Sequence, residues 1–143
     1  MEDNLTMATL HAFLHPEPIE KTKEVIISAR FKDENGEVVP FVIKNITQEE
    51  NSALNKKCKR IDTVKGMRVE SFDSVKYTNM LVVACTIQPD FRAADICEAY
   101  KTMDPLDVPA RMLTAGEFVK LTEEIMNLND FDDAEKLEDD AKN

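Results

Sequence analysis

Apolar and polar residues alternate along two neighbouring segments in the first third of the chain, residues 23–31 and residues 37–45. The odd-numbered positions form one apolar face in each segment: Val25, Ile27, Ala29 and Phe31 in the first, and Val39, Phe41 and Ile43 in the second. Alternation with a period of two is typical of a strand with one buried face. The two segments are therefore predicted to form an antiparallel hairpin. Pro40 has no N–H to donate, so the second strand is predicted to lie at an edge or to have a bulge there.

The loop between these strands decides their register. A two-residue loop at Asn35 and Gly36 would place odd positions opposite even ones, so that apolar residues would face polar ones. A three-residue loop, residues 34–36, places Gly36 in the left-handed conformation that a turn of this length uses. We therefore predict the three-residue loop. It pairs Phe31 with Val39, Ala29 with Phe41, and Ile27 with Ile43.

Two threonines, each followed three residues later by a glutamate, predict helix starts. Thr47 with Glu50, and Thr114 with Glu117, have the spacing of a capping box. The first helix is predicted to run to about position 60, and its narrow apolar stripe consists of Leu54, Cys58 and Ile61. The second is predicted to run to about Leu128.

The most apolar part of the chain is predicted to be a central helix. Asp73 is suited to cap a helix over residues 74–88, which Pro89 ends. Apolar residues cover almost the whole circumference of this helix, which is typical of a helix in the core. A strand over residues 80–87 is the alternative, but the capping residue and the length of the segment favour the helix.

Shorter elements complete the prediction. They are a helical segment over residues 5–14, a weak hairpin over residues 62–71, a short helix over residues 93–100, and brief turns at Pro105 and Pro109. The pattern predicts an α+β fold in which a small antiparallel hairpin or sheet packs with about four to five α-helices in a single domain. We predict that this domain spans residues 1–129. Residues 130–143 are predicted to be an acidic disordered tail, because they contain too few apolar residues to fold alone.

Charge and hydropathy restrict the possible partners. The chain of 143 residues has a net charge of -10, and a surface of that sign repels the phosphates of nucleic acids. The longest apolar stretch, residues 80–85, is far shorter than the roughly 20 residues that span a bilayer. The three cysteines form no CxxC pair and are typical of reduced thiols. We therefore expect a soluble cytoplasmic protein that binds neither nucleic acid nor membrane.

Two arrangements suggest metal binding, and neither is complete. His11 and His15 have the spacing that places two imidazoles on one helical face, where they could share a zinc ion, but no third ligand lies nearby. The acidic run that begins at Asp130 resembles a calcium loop. Such a loop needs a glycine at its sixth position and a carboxylate at its twelfth, and these positions hold Glu135 and Ala141. We therefore predict no metal site.

The cysteines are also candidates for a nucleophile. A reactive thiolate needs a base such as histidine, and both histidines lie within the first 15 residues. Cys58, Cys85 and Cys97 fall in apolar segments and are predicted to be buried. The sequence thus predicts no catalytic residue and no cofactor, and a protein that is not an enzyme.

The apolar side of the last helix is the remaining candidate for function. The predicted partner-binding residues are Met112, Phe118, Leu121, Ile125 and Leu128. Helical spacing leaves two interpretations open, because the same residues could instead complete the core. If they form a surface, Phe118→Asp or Leu121→Asp should abolish partner binding; if they are core, these changes should unfold the protein.

Residues spread from position 12 to position 121 share their order and spacing with a known family. They are residues 12–14, residues 41–50, Leu54, Cys58, Tyr77, residues 84–86, Pro89, residues 112–118 and Leu121. On these residues the chain resembles the XkdN-like tail assembly chaperones of tailed phages and prophages. The resemblance covers nearly the whole chain up to about Leu128.

The resemblance implies a non-enzymatic protein, made in the cytoplasm of the bacterial host and absent from the mature virion. Such chaperones bind the long, coiled-coil-rich tape measure protein, keep it soluble and help tail tube subunits assemble around it. A small prophage regulator or inhibitor that binds a host protein is the main alternative. An enzyme subunit whose active site is completed by a partner is a third. Self-association stays open.

Overall fold

The chain folds into short helices and strands that alternate along its length. The computed structural model describes residues 2–131, with side chains from residue 7 onward. Its helices are α1 (Glu2–Leu14), α2 (Gln48–Lys57), α3 (Ser74–Cys85), α4 (Ala94–Ala99), α5 (Val108–Met112) and α6 (Ala115–Leu128), with a 3-10 turn at Pro105–Asp107. Its strands are β1 (Thr22–Val25), β2 (Phe41–Lys44), β3 (Lys59–Val64), β4 (Met67–Phe72) and β5 (Thr86–Gln88).

These elements form an α+β domain with two small antiparallel sheets. One sheet has the order β1-β2-β5, and the other is the β3–β4 hairpin. The fold class predicted from the sequence is therefore confirmed. The predicted acidic tail lies outside the described residues except for Asp130 and Phe131, so it stays a prediction.

The strand that follows Pro40 lies in the middle of its sheet. β2 pairs with β1 on one side and with β5 on the other. The prediction of an edge strand was therefore wrong. Pro40 precedes β2, and its carbonyl oxygen accepts a hydrogen bond of 2.9 Å from Gln88 Nε2. The irregularity in the ladder lies further along, between Val42 and Ile43.

The predicted three-residue turn is present. Gly36 has a φ of 82°, the left-handed conformation that its position requires. Next to the turn, the N–H of Val39 donates to the carbonyl oxygen of Phe31 at 2.8 Å. The predicted pairing of these two residues is therefore confirmed close to the loop.

Further from the turn, the predicted register is wrong. Phe41 pairs with Val25 rather than with Ala29, so the residues between Val25 and Phe31 leave the ladder. The hydroxyl oxygen of Ser28 accepts a hydrogen bond of 3.2 Å from the N–H of Arg30, a local bond that competes with ladder pairing. The shift is an even number of residues, so Val25, Ile27, Phe41 and Ile43 still point inward and are buried, but Ala29 of the predicted face is exposed.

Both capping boxes are present. At α2, the Thr47 side chain accepts from the N–H of Glu50, and the Glu50 side chain accepts from the N–H of Thr47. α2 ends at Lys57, three residues before the predicted end. Of its predicted stripe, Cys58 is buried and Leu54 is half-buried. Ile61 instead lies in β3 and is exposed, because the helix ends before Cys58 and the chain continues as a strand from Lys59.

The central helix is shorter than predicted. The Asp73 side chain caps α3 by accepting from the N–H of Lys76, as expected, but the helix ends at Cys85. The next three residues form β5, which pairs with β2. Thr86 and Ile87 are β-branched, which favours a strand once a neighbouring strand is available. The helix prediction was thus right for α3 and wrong for β5.

The core forms between α3, α6 and the three-stranded sheet. Its largest fully buried side chains include Phe91, Ile43, Leu81, Leu121 and Ile125. Among the residues whose side chains are described, neither α1 nor the β3–β4 hairpin contributes to the core cluster. The domain therefore presents these two elements outward.

Candidate partner-binding surface

Helix α6 is held at its start by a capping box. The hydroxyl oxygen of Thr114 accepts from the N–H of Glu117 at 3.2 Å, and Glu117 Oε1 accepts from the N–H of Thr114 at 2.8 Å. The helix packs against α3 and β2. This placement brings four of the five residues predicted to bind a partner close to the core, and the fifth, Met112, is the last residue of α5.

Three of these five residues are core residues. Leu121 and Ile125 are 0% exposed, and Met112 is buried; Phe118 and Leu128 are half-buried. The interpretation that this side of α6 completes the core therefore describes Leu121 and Ile125, and Met112 joins the same core from α5. Only Phe118 and Leu128 have exposed area that a partner can reach without opening the core. Partner binding by the five-residue set stays a prediction.

A charged contact ties the start of α6 to the segment between β1 and the turn. Arg30 Nε lies 2.9 Å from Glu117 Oε2, and Arg30 Nη2 lies 2.6 Å from Glu117 Oε1. Arg30 Nη2 also donates to the carbonyl oxygen of Met112. The guanidinium carbon is 4.4 Å from the centre of the Phe31 ring. Arg30 thus bridges two distant parts of the chain, a role that its place among alternating polar residues does not reveal.

The Arg30 contact predicts a pH-dependent stability. Hydrogen bonds from Arg30 and then from the Thr114 N–H lower the pKa of Glu117 to about 2. Since the folded-state pKa lies below the ordinary value of 4.5, the carboxylate stabilises the fold above that value and loses its effect as pH falls towards 2. We expect Glu117→Gln to unfold at lower urea concentration than the parent protein at pH 7. This difference should shrink steadily below about pH 4.5.

Urea unfolding across this pH range checks the prediction. Glu123→Gln, on an exposed position of the same helix, is the control and should follow the parent protein throughout. A difference between Glu117→Gln and the parent that stays constant with pH would contradict the assigned role of the carboxylate.

Helix α1 presents apolar side chains to solvent. Met7, Leu10, Phe13 and Leu14 are between 53% and 77% exposed. The helical spacing brings them to one side of the helix, and we call them the α1 stripe. His11 and His15 lie beside it, with ring centres 4.6 Å apart. The sequence predicted the helix but not that its apolar residues would stay outside the core.

The β3–β4 hairpin is exposed along its whole length. Its apolar residues are between 44% and 70% exposed: Ile61, Val64, Met67, Val69 and Phe72. The hairpin is joined to the domain at its base, where the N–H of Asp73 donates to the carbonyl oxygen of Cys58 at 2.8 Å. There the Phe72 ring also lies 5.7 Å from the Tyr77 ring. The prediction of a hairpin over residues 62–71 is confirmed, and the structure extends it to residues 59–72.

The cysteines are buried, as predicted. Burial raises the pKa of the Cys85 thiol to about 11 and also raises the pKa of the Cys58 thiol. The Cys58 sulfur lies 3.7 Å from the Met80 sulfur. These two thiols are therefore protonated at neutral pH. Among the described residues, no group of three or more His, Cys, Asp or Glu side chains is placed to hold a metal ion.

Comparison with known proteins assigns the family. Residues 10–142 match the family model described as phage XkdN-like tail assembly chaperone protein. The chain belongs to this family. The resemblance inferred from its sequence is therefore confirmed.

Individual relatives of this tail assembly chaperone are similar along its full length. It is 40% identical over 146 residues to the phage-like element PBSX protein XkdN of Bacillus subtilis strain 168, a match that covers 99% of both chains. It is 39% identical over 146 residues to the uncharacterized protein YqbN of the same strain, covering 99% of this chain and 98% of YqbN.

The chaperone also resembles a protein of known structure. Its fold matches the crystal structure of the protein YqbN with a TM-score of 0.69 and 33% sequence identity. The match covers 82% of this chain and 93% of that one. Within the described part of the chaperone, no helix is both long enough and apolar enough to span a membrane.

Proposed function

We propose that this tail assembly chaperone binds the tape measure protein through the α1 stripe, without catalysis, and thereby assists assembly of the tail tube in the host cytoplasm. The exposed α1 stripe is the observation that carries the proposal. Family membership supports a protein partner in tail assembly. The tape measure protein as that partner follows from the family resemblance.

The exposure of α1 supports a role in binding. A helix of 13 residues is marginally stable in water unless it packs against something. The α1 stripe is not part of the core cluster, so these side chains add little to the stability of the domain. An apolar helix face of this kind fits a groove or a second helix of a partner. A tape measure protein rich in coiled coils has apolar seams of that shape before it is assembled.

The charge of the chain supports a solubilising role. The net charge of -10 favours solubility and opposes self-aggregation. When the chaperone covers apolar seams of its partner, the complex has more net charge and less exposed apolar area than the partner alone. Both changes keep the partner in solution.

Aspartates within the α1 stripe should abolish the interaction. We expect Leu10→Asp with Phe13→Asp to reduce co-purification of the tape measure protein by about 30-fold or more, since the loss of a buried apolar anchor costs about 2 kcal/mol or more in binding. Both residues are exposed, so the circular dichroism spectrum should keep its native shape. The measurement is a pull-down after co-expression in bacteria, with soluble tape measure protein as a second readout.

Ala8→Asp provides a matched control on the same helix. At 100° per residue, position 8 lies on the opposite side of α1 from the stripe, so this variant should bind like the parent protein. If the tape measure protein neither co-purifies with the parent chain nor gains solubility from it, the proposal is wrong. A host protein that co-purifies in its place would favour the regulator interpretation.

A further inference from the structure

Positive charge is concentrated in one exposed part of this acidic chain. Residues 56–72, the end of α2 with the β3–β4 hairpin, hold six of the 18 Lys and Arg residues but only two of the 28 acids. We call this segment the basic hairpin. Its cations are all exposed: Lys56, Lys57, Lys59, Arg60, Lys65 and Arg68. None of them takes part in the three ion pairs of the described residues.

The tip of the basic hairpin also presents an apolar face. Val64 and Met67 form the cross-strand pair next to the turn. Val69 lies two residues beyond Met67 and therefore points to the same face. All three side chains are exposed. The turn itself, Lys65 and Gly66, has positive φ at both positions, which is the conformation of a tight two-residue hairpin turn. The tip therefore combines apolar area with flanking cations.

The hairpin lacks the support that usually stabilises a small sheet. Within the described residues, β3 and β4 pair only with each other, so the outer edges of both strands are unpaired. A two-stranded sheet is marginally stable by itself in water, and open edges of this kind favour pairing with another chain. An occupant that covers the tip would bury its apolar side chains and neutralise its charge.

The charge of the hairpin indicates the chemistry of that occupant. Outside residues 56–72, the chain has 26 acids and 12 Lys or Arg residues, so its own remaining surface is complementary to the hairpin. One groove of about 330 Å³ combines acids and apolar side chains with a single cation, Lys76. The other residues that line it are Asp73, Asp104, Asp107, Val75, Leu106 and Asn79. Val75 is 71% exposed.

We propose that the hairpin tip of one copy docks into this acidic groove of a second copy, so that the chaperone self-associates through unlike surfaces. With the tip inserted into the groove, Val64, Met67 and Val69 on one face of the hairpin would cover the exposed Val75, and Lys65 at the turn and Arg68 on the opposite face would face the aspartates. This association goes beyond the proposed binding of the tape measure protein and uses a different surface from the α1 stripe.

Salt distinguishes this contact from pairing between two hairpins. Two basic hairpins repel each other, so added salt would strengthen their association by screening the repulsion. Docking of a basic tip on an acidic groove depends on attraction, so added salt weakens it. The sign of the salt effect therefore tests which surfaces meet.

The experiment measures the molar mass of the full chain in solution, without any tape measure protein. We expect self-association at high micromolar concentration in about 50 mM salt, weaker by on the order of tenfold in about 500 mM salt. Lys65→Glu with Arg68→Glu should give a monomer, and so should Asn79→Lys with Asp107→Lys, which reverses the sign of the groove. Lys120→Glu, an exposed cation outside the hairpin, is the control and should associate like the parent.

Mixing the two charge-reversed proteins provides the decisive readout. In the mixture the unaltered hairpin of one protein meets the unaltered groove of the other, and the glutamate-bearing hairpin meets the lysine-bearing groove. Association should therefore return although each protein alone is monomeric. If the loss of the Asp107 side chain alters the fold, Asn79→Lys alone, which halves the net negative charge of the groove, should weaken the self-association of that protein. A parent chain that stays monomeric at low salt would overturn the proposal. An assembly that grows stronger with salt, or that both reversals leave intact, would also overturn it.

Discussion

Leu121→Asp should unfold the protein at neutral pH. Leu121 is fully buried between α6 and the rest of the core, and a carboxylate introduced there loses its hydration without gaining a partner. Burial of an unpaired charge costs at least several kcal/mol, which is comparable to the roughly 5–15 kcal/mol by which a typical domain is stable. Loss of the helical circular dichroism signal, together with the loss of a cooperative urea transition, would show this outcome.

Val119→Asp places the same charge on an exposed position of the same helix and should leave the urea midpoint nearly unchanged. The contrast separates a core position from a surface position two residues away. If Leu121→Asp keeps a native spectrum and loses only a protein partner, the side of α6 that contains Leu121 is a binding face and its assignment to the core is wrong.

Phe91→Ala should cause the second largest loss. Phe91 is 0% exposed and is the largest of the fully buried side chains. Its removal deletes the ring and leaves a cavity, so the free energy of unfolding should fall by about 3–5 kcal/mol. The backbone there is held in place because the Cys97 sulfur donates to the carbonyl oxygen of Phe91 at 3.4 Å. Urea unfolding of the parent and the variant gives the difference directly.

The same substitution at Phe13 provides the control. Phe13 belongs to the exposed α1 stripe, so Phe13→Ala removes an equal volume without creating a cavity in the core. Its urea midpoint should match that of the parent. Equal losses at the two positions would contradict the separation between the core and the α1 stripe.

Local chemistry made several elements predictable from sequence. The capping boxes at Thr47 and Thr114 and the Asp73 cap depend on hydrogen bonds within four residues, so their patterns predicted the starts of three helices. The left-handed glycine at position 36 is equally local. In each case, the residues that decide the structure are neighbours in the chain.

Contacts between distant residues were not predictable in the same way. Residues 86–88 form a strand because β2 offers an open edge, and a single sequence does not show that edge. Arg30 leaves the ladder region and binds Glu117, 87 residues further along. The alternation pattern describes Arg30 only as one more polar position on a strand.

The candidate site was the least predictable feature. Helical spacing does not distinguish Leu10 and Phe13 from Leu121 and Ile125, since all four are apolar residues on helices. Only packing shows that the first two are exposed and the last two are buried. The pattern of apolar residues predicts that a helix has an apolar face. It does not predict whether the domain itself or another protein covers that face.

The attachment of the β3–β4 hairpin by its base alone has an evolutionary consequence. A mutation on its outer faces meets no constraint from interior packing, because the residues from Lys59 to Phe72 contribute nothing to the core cluster. Selection on its surface chemistry can therefore come only from what the hairpin binds, while the scaffold beneath keeps its shape. A chaperone with such a hairpin can change its binding partner through a few substitutions on the hairpin, and the rest of the domain folds as before.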